Sequence, residues 1–306
     1  MSSLLIDVAE GAVRGGTSIL FAALGETLAE RAGVINLGTE GSMLCGALAA
    51  YALTAETGNP WLGVVGGAVA GALLASVHAL VVLARKANQL ATGFVVLFLG
   101  LGLTSLFGAA YVGRSVNTFT PLAVPLLSDI PALGPILFKH DPLTYLSYFL
   151  APVMWWLLYR SRWGLLVRAG GERPEVLRAY GKSPSTVRYL AVVGGGLLAG
   201  IGGAQLSTAY TNSWFENMTA GRGFIAVALV IFAAWHPLRA VGGAYLFGAA
   251  LALSPALQAR GIGFNQFALD ALPYVVTIAA LVLLGRRRSN TAPEGLSQVF
   301  EMTPAR

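Results

Sequence analysis

Long apolar segments separated by short polar stretches dominate the hydropathy pattern of the chain. A helix needs about 20 apolar residues to cross the hydrocarbon core of a bilayer. The pattern therefore predicts an all-α, polytopic membrane bundle of about nine spans, within a range of eight to ten. The predicted spans are 12–29, 34–54, 61–84, 90–112, 143–159, 189–210, 223–236, 238–258 and 268–285. The second and seventh could instead be re-entrant or broken helices, because one begins with polar, glycine-rich sequence and the other is short.

Composition supports a membrane protein and excludes several other classes. Hydrophobic residues make up 56% of the chain and charged residues only 11%, whereas soluble domains carry about 25% charged residues. The net charge of +6 would suit nucleic acid, but the cations cluster beside apolar spans, so no nucleic-acid partner is predicted. One cysteine, Cys45, allows no disulfide within the chain. The sequence contains no phosphate-binding loop or catalytic motif, and it predicts no cofactor and no metal site.

Lysine and arginine residues set the predicted orientation, because cytoplasmic loops of membrane proteins are enriched in them. With the N-terminus outside, fifteen of the twenty fall on the cytoplasmic side, and seven of these lie between residues 160 and 188. The first residues, MSSLLIDVAEGAVRGG, lack the charged region and the cleavage site of a signal peptide, so the first span is expected to act as its own insertion signal. We therefore expect a transmembrane domain over residues 1–288, a cytoplasmic connector at 160–188 and a disordered cytoplasmic tail at 289–306.

The connector contains a predicted short helix from Pro174 to Tyr180. Proline is favoured in the first turn of a helix, and glycine, here Gly181, is favoured just after the last turn. Val176, Leu177 and Tyr180 fall at helical spacing and could form an apolar stripe that contacts a soluble partner. The alternative interpretation is a solvated loop.

Polar side chains at membrane depth are the candidate substrate-pathway residues, because they are costly to bury in lipid. Two sets are predicted, and their members are Asn36, Thr39 and Glu40, and Asn88, Gln89 and Thr92. The alternative for the first set is an interfacial loop in which Glu40 contacts water or Arg31, and for the second it is helix capping. A third polar set lies toward the outer face and consists of Gln205, Thr208, Tyr210, Asn212 and Asn217. Intramembrane carboxylates are few and close to span ends, which disfavours an ion-driven carrier.

Five segments resemble one family of membrane proteins. They are ERAGVINLGTEGSMLCGALAAY (30–51), NQLATGFVVLFLGLGLTS (88–105), LLVRAGGERPEVLRAYGKSPSTVRYLAVVGGGLLAGIGGAQL (165–206), GRGFIAVALVIFAAWHPLRAVGGAYLFGAALAL (221–253) and LPYVVTIAALVLLGRRR (272–288). With these segments the chain resembles permease subunits of bacterial ABC importers in the branched-chain amino acid and simple-sugar permease superfamily. It looks most similar to the shorter of the two paired permeases of nucleoside-type importers.

The resemblance implies a non-catalytic, multi-pass subunit of the bacterial inner membrane that moves a nucleoside or similar small polar solute into the cytoplasm. It implies a second permease in a heterodimer, a cytoplasmic ABC ATPase, an extracytoplasmic substrate-binding lipoprotein and surrounding membrane lipid as partners. Alternatives are a permease for a ribose-like simple sugar or a branched-chain amino acid, a stand-alone secondary carrier, and a membrane enzyme or scaffold.

The resemblance also assigns a coupling helix, the element through which the ATPase would move the permease. The residues that it implies are Gly171, Glu172, Arg173, Pro174, Leu177, Tyr180 and Gly181. The chain departs from the family pattern at RAYGKSPSTVR, where Arg178 and Lys182 make the segment more basic.

Overall fold

The computed structural model describes residues 4–261, 265, 268–269, 271–285 and 292–296 of the chain. Within this part the helices are α1 (Leu4–Arg31), α2 (Thr39–Thr57), α3 (Pro60–Arg85), α4 (Gln89–Gly108), α5 (Leu133–Phe138), α6 (Pro142–Arg160), α7 (Arg162–Glu172), α8 (Pro174–Ala179), α9 (Pro184–Gln205), α10 (Arg222–Phe232), α11 (Pro237–Gln258) and α12 (Leu272–Gly285). A 3-10 turn, Ala109–Tyr111, extends α4, and a π-helical turn, Leu206–Tyr210, extends α9. The strands β1 (Leu122–Ala123) and β2 (Lys139–His140) form a short antiparallel ribbon, with Leu122 opposite His140.

The all-α prediction is confirmed, and each predicted span overlaps one helix among α1–α4, α6 and α9–α12. In the described residues, four helices are long and apolar enough to cross a membrane: Pro60–Arg85, Gln89–Tyr111, Pro184–Tyr210 and Pro237–Gln258. A count of about nine spans is therefore not confirmed.

The two segments that were open to a re-entrant interpretation both contain a break in the helix. A turn at residues 32–38 separates α1 from α2, so that α2 begins only at Thr39. The α10 helix has 11 residues, which at 1.5 Å per residue gives a length of about 16 Å. That is roughly half of the 30 Å hydrocarbon core, so α10 alone is too short to cross it.

The helices α1 and α9 form the centre of the bundle. The α1 helix packs against α9, α10 and α11, while α9 also packs against α2 and α3. Small residues let helices approach closely in a membrane protein, and glycines lie at the crossings of α9 with α1, α2 and α3 and at that of α1 with α11. A Cβ added to Gly25 would collide with the backbone of Gly195, and one added to Gly71 with that of Gly196. The glycine-rich stretches therefore act mainly as packing surfaces.

Apolar side chains remain exposed along the outer faces of α3 and α4. Large examples are Val65, Val69, Leu73, Val95, Phe98, Leu106 and Phe107. A water-soluble protein rarely leaves an apolar surface of this extent uncovered. The two helices therefore present faces suited to lipid or to another membrane subunit.

The described part of the predicted tail, residues 292–296, is packed against the body of the protein. Pro293 is buried, and Leu296, only 2% exposed, belongs to the main hydrophobic cluster together with Val167, Leu177 and Val187. The expectation of disorder therefore does not hold for these five residues. The remainder of the predicted tail, residues 289–291 and 297–306, lies outside the described residues.

Candidate functional site

The loop between α1 and α2 is organised by the carboxylate of Glu26. One oxygen accepts a hydrogen bond from the backbone N–H of Asn36 at 2.7 Å, and the other accepts one from the Thr39 hydroxyl at 2.8 Å. The Asn36 side chain in turn accepts from the N–H of Gly38 at 3.0 Å. All four residues are buried, so these bonds fix the shape of the loop without help from solvent.

Glu40 joins the beginning of α2 to the beginning of α10. Its Oε1 accepts hydrogen bonds from the Thr219 hydroxyl and the Gly221 N–H, both at 2.7 Å, and its Oε2 accepts from the Gly223 N–H at 2.5 Å. The first N–H groups of a helix lack partners within the helix, and the positive end of the helix dipole favours an anion. The Glu40 carboxylate gives the beginning of α10 both hydrogen-bond acceptors and a negative charge.

The expectation that Glu40 contacts water or Arg31 is wrong. The residue is only 3% exposed, and its hydrogen bonds run to residues about 180 positions away in the sequence. Arg31 does not pair with it and instead donates to the carbonyl oxygens of Ala234 and Trp235 and to the Tyr159 hydroxyl.

The second predicted set divides between capping and long-range contact. Asn88 caps α4 by accepting from the Ala91 N–H at 3.0 Å, and the Thr92 hydroxyl donates to the Asn88 carbonyl at 2.8 Å. Helix capping, the alternative interpretation, thus describes Asn88, whereas Thr92 makes a local bond to the carbonyl four residues before it. Gln89 instead reaches the α1–α2 loop, where its Oε1 accepts from the Ile35 N–H at 2.8 Å. Gln89 therefore brings the two predicted sets together.

The third set is dispersed along the end of α9 and the segment that follows it. Gln205 donates to the Arg14 carbonyl at 3.3 Å, and the Thr208 hydroxyl bonds back to Ala204 at 2.7 Å. The guanidinium groups of Arg14 and Arg222 each lie 6.0 Å from the centroid of the Tyr210 ring.

Asn212 and Asn217 complete the third set and adopt left-handed backbone conformations, with φ values of 52° and 56°. Arg222 also lines a cavity of about 340 Å³ among α10, α11 and α12, together with Ser254 and Pro273. The first two predicted sets do not line this cavity.

Three residues of this site were not predicted as pathway residues, although Glu26 was among the few carboxylates expected near a span end. The ring of His78, a fully buried residue of α3, lies 3.1 Å from the Ile35 carbonyl through Nε2. Glu26 anchors the loop from α1, and Glu30, one turn further, accepts a hydrogen bond from Trp235. The only sequence signal was the spacing of the two glutamates, which places them on one face of an otherwise apolar helix.

The connector folds as two helices, and the solvated-loop alternative is wrong. The predicted helix from Pro174 to Tyr180 corresponds to α8, which begins at Pro174 and is followed by Gly181 in a left-handed turn with φ of 69°. Tyr180 is 80% exposed and Val176 is exposed as well. Leu177 differs from the prediction of a shared contact stripe, because it points inward and anchors α8 in the core.

The connector contacts the α1–α2 loop directly. The backbone of Gly171 lies so close to that of Arg31 and Ala32 that a Cβ would not fit between them. Arg188 of α9 secures this contact by donating to the Ala32 carbonyl at 3.0 Å and to the Gly170 carbonyl at 2.8 Å. The loop that holds Asn36 is therefore joined to the element that carries α8. Of the other predicted coupling residues, Glu172 and Arg173 are exposed.

Comparison with known proteins places this architecture among permeases. The family described as "Branched-chain amino acid transport system / permease component" matches residues 9–284. A putative glucose ABC transporter permease protein of Haloferax volcanii is 42% identical over 291 residues, covering 88% of each chain. A guanosine ABC transporter permease protein of Bacillus subtilis is 33% identical, covering 88% of this chain and 89% of its own.

A nucleoside ABC transporter permease protein of Lactococcus lactis is 32% identical over 287 residues, covering 87% of this chain and 88% of its own. No solved structure matches the chain.

Proposed function

The chain belongs to the family of permease components of branched-chain amino acid transport systems, and on that premise we propose that it imports a nucleoside or a related small polar solute. It is a multi-pass plasma-membrane protein and an ABC transporter permease, a transport component rather than an enzyme. The nucleoside assignment is supported by two relatives named for guanosine and nucleoside transport.

A simple sugar is the second candidate substrate, because the relative at 42% identity is named for glucose. Nucleosides and sugars are both neutral and rich in hydroxyl groups, so both suit a pathway that offers amide and hydroxyl groups. A branched-chain amino acid would bring a carboxylate and an ammonium group into the membrane, where unpaired charges are costly. The carboxylates of Glu26 and Glu40 are already occupied by structural hydrogen bonds, which makes them poor partners for an ammonium group.

We assign the gate to the polar residues around the α1–α2 loop. Glu26 bonds to Asn36 and Thr39, and Gln89 bonds to the neighbouring Ile35 of the same loop. Glu40, next to Thr39 in the chain, bonds to the beginning of α10. In this proposal, rearrangement of these bonds opens and closes the pathway. The members of the proposed gate are Asn36, Thr39, Glu40, Asn88, Gln89 and Thr92.

The proposed energy source is a separate cytoplasmic ABC ATPase that docks on α8. The observation that carries this proposal is the direct contact between the connector and the α1–α2 loop at Gly171. The helix exposes Val176 and Tyr180 beside the cations Arg173 and Arg178, a surface suited to a groove with apolar and acidic side chains. Leu177 would transmit the motion because it is embedded in the core.

The full assembly in this proposal also contains a second, different permease and an external binding lipoprotein that delivers substrate. The exposed faces of α3 and α4 are available to the second permease or to lipid.

We further propose that nine helices enter the membrane with the N-terminus outside, and that α2 and α10 are the discontinuous segments of the bundle.

Reconstitution into vesicles tests this function. Vesicles that contain the permease, its paired permease, the ATPase and the binding protein should accumulate tritiated guanosine or glucose only with ATP. Replacement of Tyr180 by Ala should lower uptake per ATP, whereas Arg114→Ala, on the external side, should not. Uptake that persists without the ATPase would indicate a stand-alone carrier and would refute the proposal. The preferred solute in the same assay decides between nucleoside and sugar.

A further inference from the structure

Three glycines from distant parts of the chain meet beside the connector, and we call this contact the glycine junction. Gly33 belongs to the α1–α2 loop, Gly171 to α7, and Gly295 to the described C-terminal segment 292–296. A Cβ on Gly295 would lie 2.8 Å from the Gly171 carbonyl oxygen and 3.5 Å from the Gly33 Cα. A Cβ on Gly33, which has φ of 85°, would lie 3.2 Å from the Gly171 Cα. The absence of side chains is what allows the three backbones to touch.

Arg188 holds the glycine junction together. Its guanidinium donates to the carbonyls of Ala32 and Gly170, which belong to two of the three segments. The same group lies 3.3 Å from the Cβ positions of both Gly33 and Gly295. One half-buried arginine thus bonds the loop to the connector and lies beside the C-terminal segment.

The C-terminal segment is anchored on both sides of this junction. Leu296 lies in the cluster that contains Leu177, the buried residue of α8. The N–H of Glu294 donates to the Glu172 carboxylate at 3.3 Å, at the last residue of α7. Leu296, Glu294 and Gly295 thus all contact the surface formed by the connector.

We propose that residues 292–296 form a C-terminal strap that positions the connector against the α1–α2 loop, so that movement of α8 reaches the gate. The inference rests on the proposed function, because it assigns the strap a part in coupling. Without the strap, α7 would still meet the loop through Arg188 and Gly171, but the third segment would no longer hold the two together. Motion imposed on α8 would then be partly lost at the junction, while ATP hydrolysis would continue.

Two substitutions in the reconstituted complex test the strap. Leu296→Asp places a carboxylate in the hydrophobic cluster and should release the strap, whereas Leu296→Met should retain it. We expect Leu296→Asp to keep ATP hydrolysis within about twofold and to lower uptake per ATP about fivefold or more, the scale of coupling between distant sites. Gly295→Ala should act in the same direction, because its Cβ lacks space. Gly242→Ala is the matched control, because a Cβ there meets nothing within 4 Å.

Hydrogen exchange separates the failure of this inference from failure of the proposed function. In the purified full-length permease, Leu296→Asp should speed exchange in residues 32–38. Faster exchange in a protein that shows no ATP-dependent uptake would overturn the proposed function and leave the strap in place. Unchanged exchange, or unchanged uptake per ATP in both Leu296→Asp and Gly295→Ala, would overturn the strap. If Leu296→Asp does not assemble, Gly295→Ala decides by the same two measurements.

Discussion

Replacement of Glu40 by Gln tests how strongly one carboxylate holds α10 in place. The native side chain accepts three hydrogen bonds at 2.5–2.7 Å from Thr219, Gly221 and Gly223. Glutamine has nearly the same shape but only one accepting oxygen. Its NH₂ group would face at least one of the donors, so a buried N–H at the start of α10 would lose its acceptor. The Thr219 hydroxyl can turn and accept instead, whereas the two backbone donors cannot.

The expected loss follows from these contacts. A hydrogen bond to a charged group contributes about 1.5–3 kcal/mol, and removing a negative charge from a helix N-terminus costs up to about 2 kcal/mol at a partly buried site. The two effects overlap, so we expect destabilisation of about 2–4 kcal/mol. Large domains lose about 2–4 °C in thermal midpoint for each kcal/mol of destabilisation, so the expected fall in midpoint is roughly 4–16 °C.

The thermal midpoint of the purified permease in detergent measures this effect. Glu56→Gln is the matched control, because Glu56 lies at the other end of the same helix in a 3.4 Å ion pair with Arg114, and both side chains are more than half exposed. Such surface pairs contribute at most about 1 kcal/mol, so its midpoint should hardly move. Equal midpoints for the two variants would show that the Glu40 carboxylate does not hold α10.

Three further predictions concern packing, a buried carboxylate and pH. Gly200→Ala should destabilise the bundle by about 1–3 kcal/mol, because the added Cβ collides with the backbone of α3. Gly102→Ala, where the added Cβ has open space, should leave the midpoint in the same thermal assay unchanged. Trp235→Phe removes the indole N–H that donates to the buried Glu30 carboxylate and should lower the free energy of unfolding by about 1–3 kcal/mol. Trp61→Phe, at an exposed tryptophan, should not, and similar thermal midpoints for the two variants would contradict this. Burial lowers the pKa of His140 in the β1–β2 ribbon, so the unfolded state binds the proton more readily and the ribbon should loosen as pH falls below about 6.5. Hydrogen exchange of residues 133–145 that does not change between pH 7.5 and 5.5 would contradict that expectation.

The helices and the connector could be predicted from the sequence because their signals are local. Apolar periodicity located the long helices, and Pro174 with Gly181 located α8 to within one residue. Even the uncertainty about segments 34–54 and 223–236 was informative, since α2 and α10 begin where polar, glycine-rich sequence interrupts the apolar pattern.

The contacts of the site could not be predicted in the same way, because they join residues far apart in the chain. Glu40 finds its donors about 180 residues later, and no local pattern specifies that partner. Leu177 shows the same limit, since helical spacing places it beside Tyr180 but does not say which face is buried. The tail was predicted to be disordered from its polarity, but Leu296 packs into the hydrophobic cluster and Glu294 bonds to Glu172, two long-range contacts that polarity does not reveal.

The dependence of α10 on a residue of α2 has a consequence for biogenesis. The N-terminal N–H groups of α10 meet no acceptor within their own helix, and in lipid they would have no water to bind. During synthesis α2 emerges well before α10, so the acceptor is already in the membrane when α10 leaves the ribosome. We expect a circular permutant that is synthesised with α10 ahead of α2 to insert poorly, although every contact of the finished protein would be the same.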